Sequence, residues 1–247
     1  MIKMGLIEEE EEEEEYEDDS EEHLQGGLVV GLIGHFQAKK LLDKRGHGGS
    51  PFMGSLDMGM TRREIFSLPD GVGLQLEGED RPVRIITWDE LEFIVKRAGK
   101  GQYGCWELYG DGETAPWKVS ALSKTTNRPA MLCAPLRGQG PPTMVLGGFT
   151  MHRISGGDQK KVMNPAKDTK NKVEAAKINW TQGRVLDTCT GLGYTAIAAA
   201  RERGVTGVVT VELDPVSLEM CRHNPWSRDL FSNDIITSLV GDCCEVS

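Results

Sequence analysis

The chain has 247 residues, 38% hydrophobic with 30 glycines, so it can bury a proper core in one large domain or two small ones; collagen-like and wholly disordered readings fall away. Its net charge of −10 is concentrated: residues 8–22 hold 13 of the 38 acids, and outside them 25 acids face 28 Lys and Arg. The remainder is near neutral, with no electrostatic footprint for nucleic acid or an anionic membrane, and no apolar run approaches the ~20 residues of a bilayer span.

Residues 1–25 read as a disordered acidic tail, because consecutive Glu side chains repel one another and bury nothing. Residues 26–54 read as a linker or a segment without a clear place. Leu28 to Ile33 suits a short strand, His35 to Arg45 a weak basic helix, and Gly46, Gly48, Gly49 and Pro51 a linker. Gly26, Gly31 and Gly34 lack the G-K-[ST] ending of a phosphate loop. The amino terminus, MIKMGLIEEEE, is too short in apolar residues for a signal peptide and too acidic for a transit peptide, so the expected compartment is cytoplasmic. The six cysteines form no C-x-x-C pair and have no His at zinc-finger spacing, so no metal site is expected.

Residues 55–155 are expected to form a small, mostly β domain. Val83 to Thr87 suits a strand, after which Asp89 can cap a helix whose Leu91, Ile94, Val95 and Ala98 share one face. Trp117, Val119 and Ala121 alternate, Asn127-Arg128-Pro129 marks a turn, and Met131 to Ala134 alternates again. Thr143 to Leu146, Gly147-Gly148 and Phe149 to Ile154 suit a kinked strand or hairpin.

From residue 165 the pattern changes to α/β. Asp168 can cap a helix ending near Ile178. Arg184 to Asp187 reads as a buried strand, Tyr194 to Arg203 as an Ala-rich helix, and Val208 to Glu212 as a second strand. A helix capped by Asp214 with Pro215 in its first turn follows, and then a strand from Ile235 to Val240. This order, strand, helix, strand, helix, strand, predicts the first half of a Rossmann-like doubly wound parallel sheet over residues 156–247.

The stretch from Val185 to Tyr194 carries the chemistry. A strand ends in the carboxylate of Asp187. A loop with Gly191 and Gly193 admits a ligand to the backbone, and the next helix offers its positive end. Glu212 closes the second strand at the spacing at which an acid meets a ribose diol. Gly191-x-Gly193-x-x-Ala196 formally satisfies the dinucleotide fingerprint, but a pyrophosphate would be repelled by Asp187. S-adenosylmethionine (SAM) has a cationic amino group and a sulfonium, which favour an acid nearby.

Asp187-x-Cys189-x-Gly191-x-Gly193, Val209 to Asp214 and Gly241-Asp242 resemble the first three motifs of class I SAM-dependent methyltransferases. Arg184 to Tyr194 together with Asn224-Pro225-Trp226-Ser227-Arg228 resembles, more closely, the archaeal-type predicted methyltransferases, relatives of the spermidine-synthase-like group. Weaker similarity continues upstream in Leu56 to Arg62, Pro141-Pro142-Thr143, Met151 to Ile154 and Asp168-Thr169-x-x-Lys172.

The resemblance implies SAM as cofactor, with Asp187 at its amino end and Thr188 also among the binding residues. Gly191 and Gly193 would bring the backbone to the methionine, Glu212 would hold the ribose, and Asp242 would sit near the adenine. His152, Arg153, Asp168 and Thr169 are candidate cleft residues. Cys189 replaces the family's usual first glycine, Asn164-Pro165 stands where Asp-Pro is usual, and Gly156 to Met163 looks like an insertion.

The implied activity is methyl transfer to an unknown acceptor, with no catalytic residue identifiable. The competing readings are an aminopropyltransferase using decarboxylated SAM and a non-catalytic SAM-binding protein. The chain lacks the Gly-Gly-Gly-Asp-Gly-Gly loop usual in spermidine synthases. The family's sheet is larger than the three strands readable here, so an incomplete product is expected. The strand at Val185 to Asp187 would then be an edge, covered by the upstream domain or by an oligomeric partner.

Overall fold

The structure, a computed structural model, describes residues 28–47, 51–98, 104–135, 140–153, 163–180 and 182–245. The expected acidic tail, the middle of the glycine linker, Ile154 and all of the Gly156 to Met163 insertion except Met163 lie outside them.

The segment 26–54, expected as linker or unplaced, carries three elements of the fold, two strands and a helix. β1 (Gly31–Gly34) runs directly into α1 (His35–Leu42). β1 pairs antiparallel with β6 (Cys105–Leu108), and β6 with β7 (Trp117–Lys118). Four residues are too few to declare a strand by alternation; β1 exists because β6, distant in sequence, completes its ladder.

A second antiparallel sheet holds β2 (Phe52–Gly54), β3 (Arg63–Leu68), β4 (Gly71–Leu74) and β5 (Val83–Thr87) in chain order. α2 (Trp88–Ala98) follows without a loop. Its cap is Thr87 rather than the expected Asp89. The Glu90 N–H donates to Thr87 Oγ1 (3.1 Å) and the Thr87 N–H to the Glu90 carboxylate (2.7 Å). This reciprocal box satisfies two orphan donors and starts the helix one residue before Asp89. Leu91 and Ile94 are fully buried in a core shared with Ala38 and Leu41 of α1, each burial worth about 2–3 kcal/mol.

The third sheet contains β8 (Ser120–Ser123), β9 (Arg128–Cys133), β10 (Thr143–Leu146) and β11 (Phe149–Thr150). The alternating run from Trp117 to Ala121 is divided between two sheets at Val119. The β8–β9 turn closes at Asn127, in the left-handed region (φ 53°), which Asn tolerates.

The parallel part follows. α3 (Pro165–Ala175) leads through a 3-10 turn to β12 (Gly183–Asp187), then α4 (Tyr194–Ala200) and β13 (Val205–Glu212). α5 (Pro215–His223), the short α6 (Asp229–Ser232) and β14 (Ile236–Val240) complete it. The sheet order is β12-β13-β14, all parallel and joined by helical crossovers, which is the α/β half-sheet expected from the pattern. Among the described residues β12 is one of its two edge strands, and Leu186 is 62% exposed there, so the run expected as a buried strand is an edge.

The cap of α3 is also a correction. Asn164 Oδ1 accepts the Lys167 N–H (2.9 Å) and Pro165 stands at the first turn, so the helix begins ahead of Asp168. Asp168 is thereby released from capping and lies inside the helix.

Hydrophobic packing does not divide at residue 155. One core gathers Ile33, Leu41, Ile65, Trp88 and Trp106. The other joins Leu132 and Met144 of the third sheet to Val173, Ile197, Val208 and Met220 of the parallel half. The Ser123 hydroxyl donates to Asp214 across this junction. The β10–β11 hairpin is thereby carried to the loop between β12 and α4.

Candidate functional site

The loop 188–193 begins where β12 ends, at the carboxyl edge of the parallel sheet. Its two glycines have positive φ, 51° at Gly191 and 73° at Gly193. A Cβ on Gly193 would also lie 2.9 Å from Leu230, so this position excludes side chains on two grounds. Gly193 is buried as the residue before α4.

Every turn of this loop is tied down. The Thr190 N–H donates to the Val211 carbonyl (3.1 Å), and the Gly191 N–H to Glu212 Oε2 (2.7 Å). Cys221 Sγ reaches the Gly191 carbonyl (3.2 Å), and Ser227 Oγ donates to the Leu192 carbonyl (2.8 Å). Asn224 Nδ2 donates both to Ser227 Oγ and to the Tyr194 hydroxyl, which in turn donates to the Pro142 carbonyl. The Asn224-Pro225-Trp226-Ser227 motif is thus the clamp behind the loop. Trp226 Nε1 donates to the Met58 carbonyl (3.3 Å). Met58 itself is fully buried with φ 57°, so the upstream Leu56 to Arg62 motif is a joint holding this clamp.

Asp187 and Glu212 end adjacent parallel strands. Asp187 accepts from Thr210 Oγ1 (3.2 Å), and Thr210 is linked onward to Thr190 (2.7 Å). Burial is the main force raising the Asp187 carboxyl above its ordinary range, and the Glu212 charge adds to it. The Thr210 hydroxyl, the Cys189 N–H and the Lys172 charge oppose the rise. Glu212 is buried, and its second oxygen accepts the Asp214 N–H (3.1 Å). Each carboxylate oxygen offers two lone-pair directions, so both acids keep acceptor capacity after these bonds.

A second tier comes from upstream. The side chain of Met151 ends 3.6 Å from where a Gly191 Cβ would be. His152 is buried, its Nδ1 is 3.1 Å from Thr143 Oγ1, and its ring lies 5.1 Å from that of Tyr194. On α3, Lys172 Nζ pairs with Asp168 Oδ2 at 3.0 Å. Burial first, then Lys172, lowers the His152 pKa from 6.5 to about 4, against the pull of Asp168.

His152 is therefore neutral in the fold while the unfolded chain protonates it below 6.5. Stability should be full above that pH and decline as pH falls toward 4, by up to about 3 kcal/mol. Urea melts at neutral pH and near 4.5 should show this loss in the native chain and a smaller one in His152→Gln; equal losses would contradict it.

The sequence candidates distribute as follows. Asp187, Gly191, Gly193 and Glu212 converge on the loop, with His152 and Asp168 nearby. Thr188 is exposed on it. Thr169 turns away, buried beside Tyr194 and Ile197 in a cleft of about 520 Å³ between α3 and α4, its hydroxyl without a hydrogen-bond partner among the described residues. Arg153 is exposed after β11. Asp242 is exposed past β14, and its Oδ1 accepts the Cys244 N–H (2.8 Å), forming its own turn. The residue that sequence reading left without a role is Lys172. Its i,i+4 spacing from Asp168 was the available signal, hidden while Asp168 was taken as a cap.

No family model matches the chain. It is 44% identical over 106 residues to an uncharacterized protein of Methanocaldococcus jannaschii, a match covering 43% of this chain and 33% of that protein. The chain thus spans about a third of the length of the curated relative it matches. Among solved structures, spermidine synthase from Thermotoga maritima aligns with a TM-score of 0.36 and 14% identity, over 52% of this chain and 45% of that one. Trm5b from Pyrococcus abyssi aligns with a TM-score of 0.29 and 12% identity, over 58% and 33%.

Proposed function

We propose that the loop 188–193, with Asp187 and Glu212, binds SAM, and that the chain serves a methyl transfer. The observation that carries this reading is the pair of carboxylates at adjacent strand ends, close enough that the charge of one raises the pKa of the other. Such a pair creates a negative field beside a loop whose Thr188 and Cys189 are exposed. A dinucleotide would bring its pyrophosphate into that field, whereas SAM brings two positive centres.

The residues present fit that ligand. Asp187 retains acceptor capacity for an ammonium, Glu212 for a pair of hydroxyls, and among the described residues Met151 alone comes within 4 Å of where a Cβ on Gly191 would lie. When bound, SAM supplies a methyl group on a sulfonium. The chain's part is to orient it: Glu212 fixes the ribose, the same carboxylate holds the loop, and Asp187 fixes the amino end. Alignment of donor with acceptor is the main contribution such a site makes to a displacement reaction. A reducing cytoplasm suits the six cysteines.

Calorimetric titration of the chain with SAM and, separately, with NAD tests the reading. Saturable binding of SAM and none of NAD is expected. Binding of NAD without SAM, by folded protein, would overturn it.

A further inference from the structure

β14 ends at Val240, at the same carboxyl edge of the parallel sheet as Asp187 and Glu212. Beyond it the chain turns. The Gly241 N–H donates to the Glu212 carbonyl (2.9 Å), which fastens the start of this turn to β13. Asp242 Oδ1 then accepts the Cys244 N–H (2.8 Å), and the Asp242 carbonyl accepts the Glu245 N–H (3.0 Å). In a strand, consecutive side chains point to opposite faces. The turn instead gathers three consecutive ones. A carboxylate oxygen of Asp242 and the sulfurs of Cys243 and Cys244 all lie within 4.8 Å of one another.

Among the described residues this is the one place where three His, Cys, Asp or Glu side chains converge closely enough to hold a metal ion. Cys105 and Cys221 are buried, whereas Cys244 is exposed and Cys243 partly so, and a dissolved ion can reach them. The sequence raised no metal expectation because it lacks C-x-x-C and histidines at zinc-finger spacing; a contiguous Asp-Cys-Cys belongs to neither pattern. The distances suit a tetrahedral cation. Zinc bound at about 2.3 Å holds two sulfurs about 3.8 Å apart, so the turn has to close by at most about 1 Å. Two thiolates with one carboxylate favour zinc or cadmium over calcium and magnesium, which take oxygen ligands. After its bond to Cys244 the carboxylate keeps lone pairs for a cation.

We propose that Asp242, Cys243 and Cys244 bind one thiophilic divalent cation of the zinc class, with three protein ligands and the fourth position left to water. Closing around the ion pins the chain after β14 in the turn that Gly241 already ties to Glu212. Asp242 thereby has a use other than contact with an adenine. The site stands on its own ligand geometry and is independent of the SAM reading.

Cadmium titration of the full chain, kept reduced with a phosphine, tests this through the ultraviolet charge-transfer absorption of cadmium–thiolate bonds, whose height counts the thiolates bound. One equivalent of Cd2+ should saturate a two-thiolate band in the native chain, and Zn2+ should displace it. The band should halve in Cys243→Ser and in Cys244→Ser and vanish in the double variant. Cys189→Ser, which removes the exposed thiol of the glycine loop, should leave the band unchanged. Asp242→Asn should keep the band and weaken binding at least about 10-fold. Circular dichroism checks that each variant is folded. A folded native chain without a saturable band, or a band equally strong in the double variant, would overturn the site. Unchanged affinity in Asp242→Asn would overturn the three-ligand set.

Discussion

Glu212→Ala is expected to damage stability and donor binding together. The side chain accepts two buried backbone N–H groups, those of Gly191 and Asp214. Removing it leaves both unpaired, and each orphaned donor costs about 1–3 kcal/mol. The loss should therefore be about 2–6 kcal/mol in urea or thermal melts, a large part of the whole for a domain of ordinary stability. The Gly191 N–H is also the tether that holds the loop to β13 besides the Thr190 bond to Val211. SAM affinity should fall more than about 100-fold, because the ribose loses its acceptor and the loop loses its position. Glu212→Gln keeps one carbonyl oxygen for one N–H and should lie between. Native-like melting and native-like affinity in the Ala variant would refute both roles.

Asp187→Asn should act differently, on the ligand more than on the fold. The amide keeps the shape and one acceptor for Thr210 but loses the charge. The ammonium of SAM is then deprived of a charge-assisted hydrogen bond worth about 1.5–3 kcal/mol, or roughly 10- to 100-fold in affinity. The pH dependence separates this from a steric effect. Burial, with the charge of Glu212, holds the Asp187 carboxyl above its ordinary 3.8 in the free protein. A cationic ligand binds the ionised form, so binding must displace a proton wherever the carboxyl is protonated. Affinity should be flat at neutral pH and fall as pH drops through the raised value, at up to about tenfold per pH unit. In the Asn variant it should be weaker at neutral pH and lack this slope. The same slope in both would assign the titration to another group.

The parallel half was legible in residues 184–240 because its signals are local. Asp214 with Pro215 starts α5 as read, its Oδ1 accepting the Val216 N–H (3.2 Å). Short apolar runs ending in Asp187 and Glu212 gave the strands, and their spacing gave the crossover. The upstream half was less legible for a physical reason. β1, β7 and β11 have two to four residues, too few for alternation to mark, and β1 is a strand only through β6, far along the chain. The two misplaced caps share one cause. An Asp near a helix start competes with Thr87 or Asn164 a few residues away in the choice of boundary, and the winner is decided by which side chain meets the backbone N–H groups.

Sequence alone determined the α/β half-sheet, the glycine loop and the two acids at its strand ends, because each depends on neighbours within a turn or a strand. Only the tertiary structure decided what surrounds them. It placed the Asn224 to Ser227 motif behind the loop as a clamp and joined Trp226 to Met58. It left Asp242 in its own exposed turn. It also joined the third sheet to the parallel half through one core, which set His152 beside Tyr194. Those contacts link residues whose separation in sequence carries no period or spacing. They exist because apolar surface on α3, α4, α5 and the β8–β11 sheet is buried together, and burial is indifferent to order along the chain.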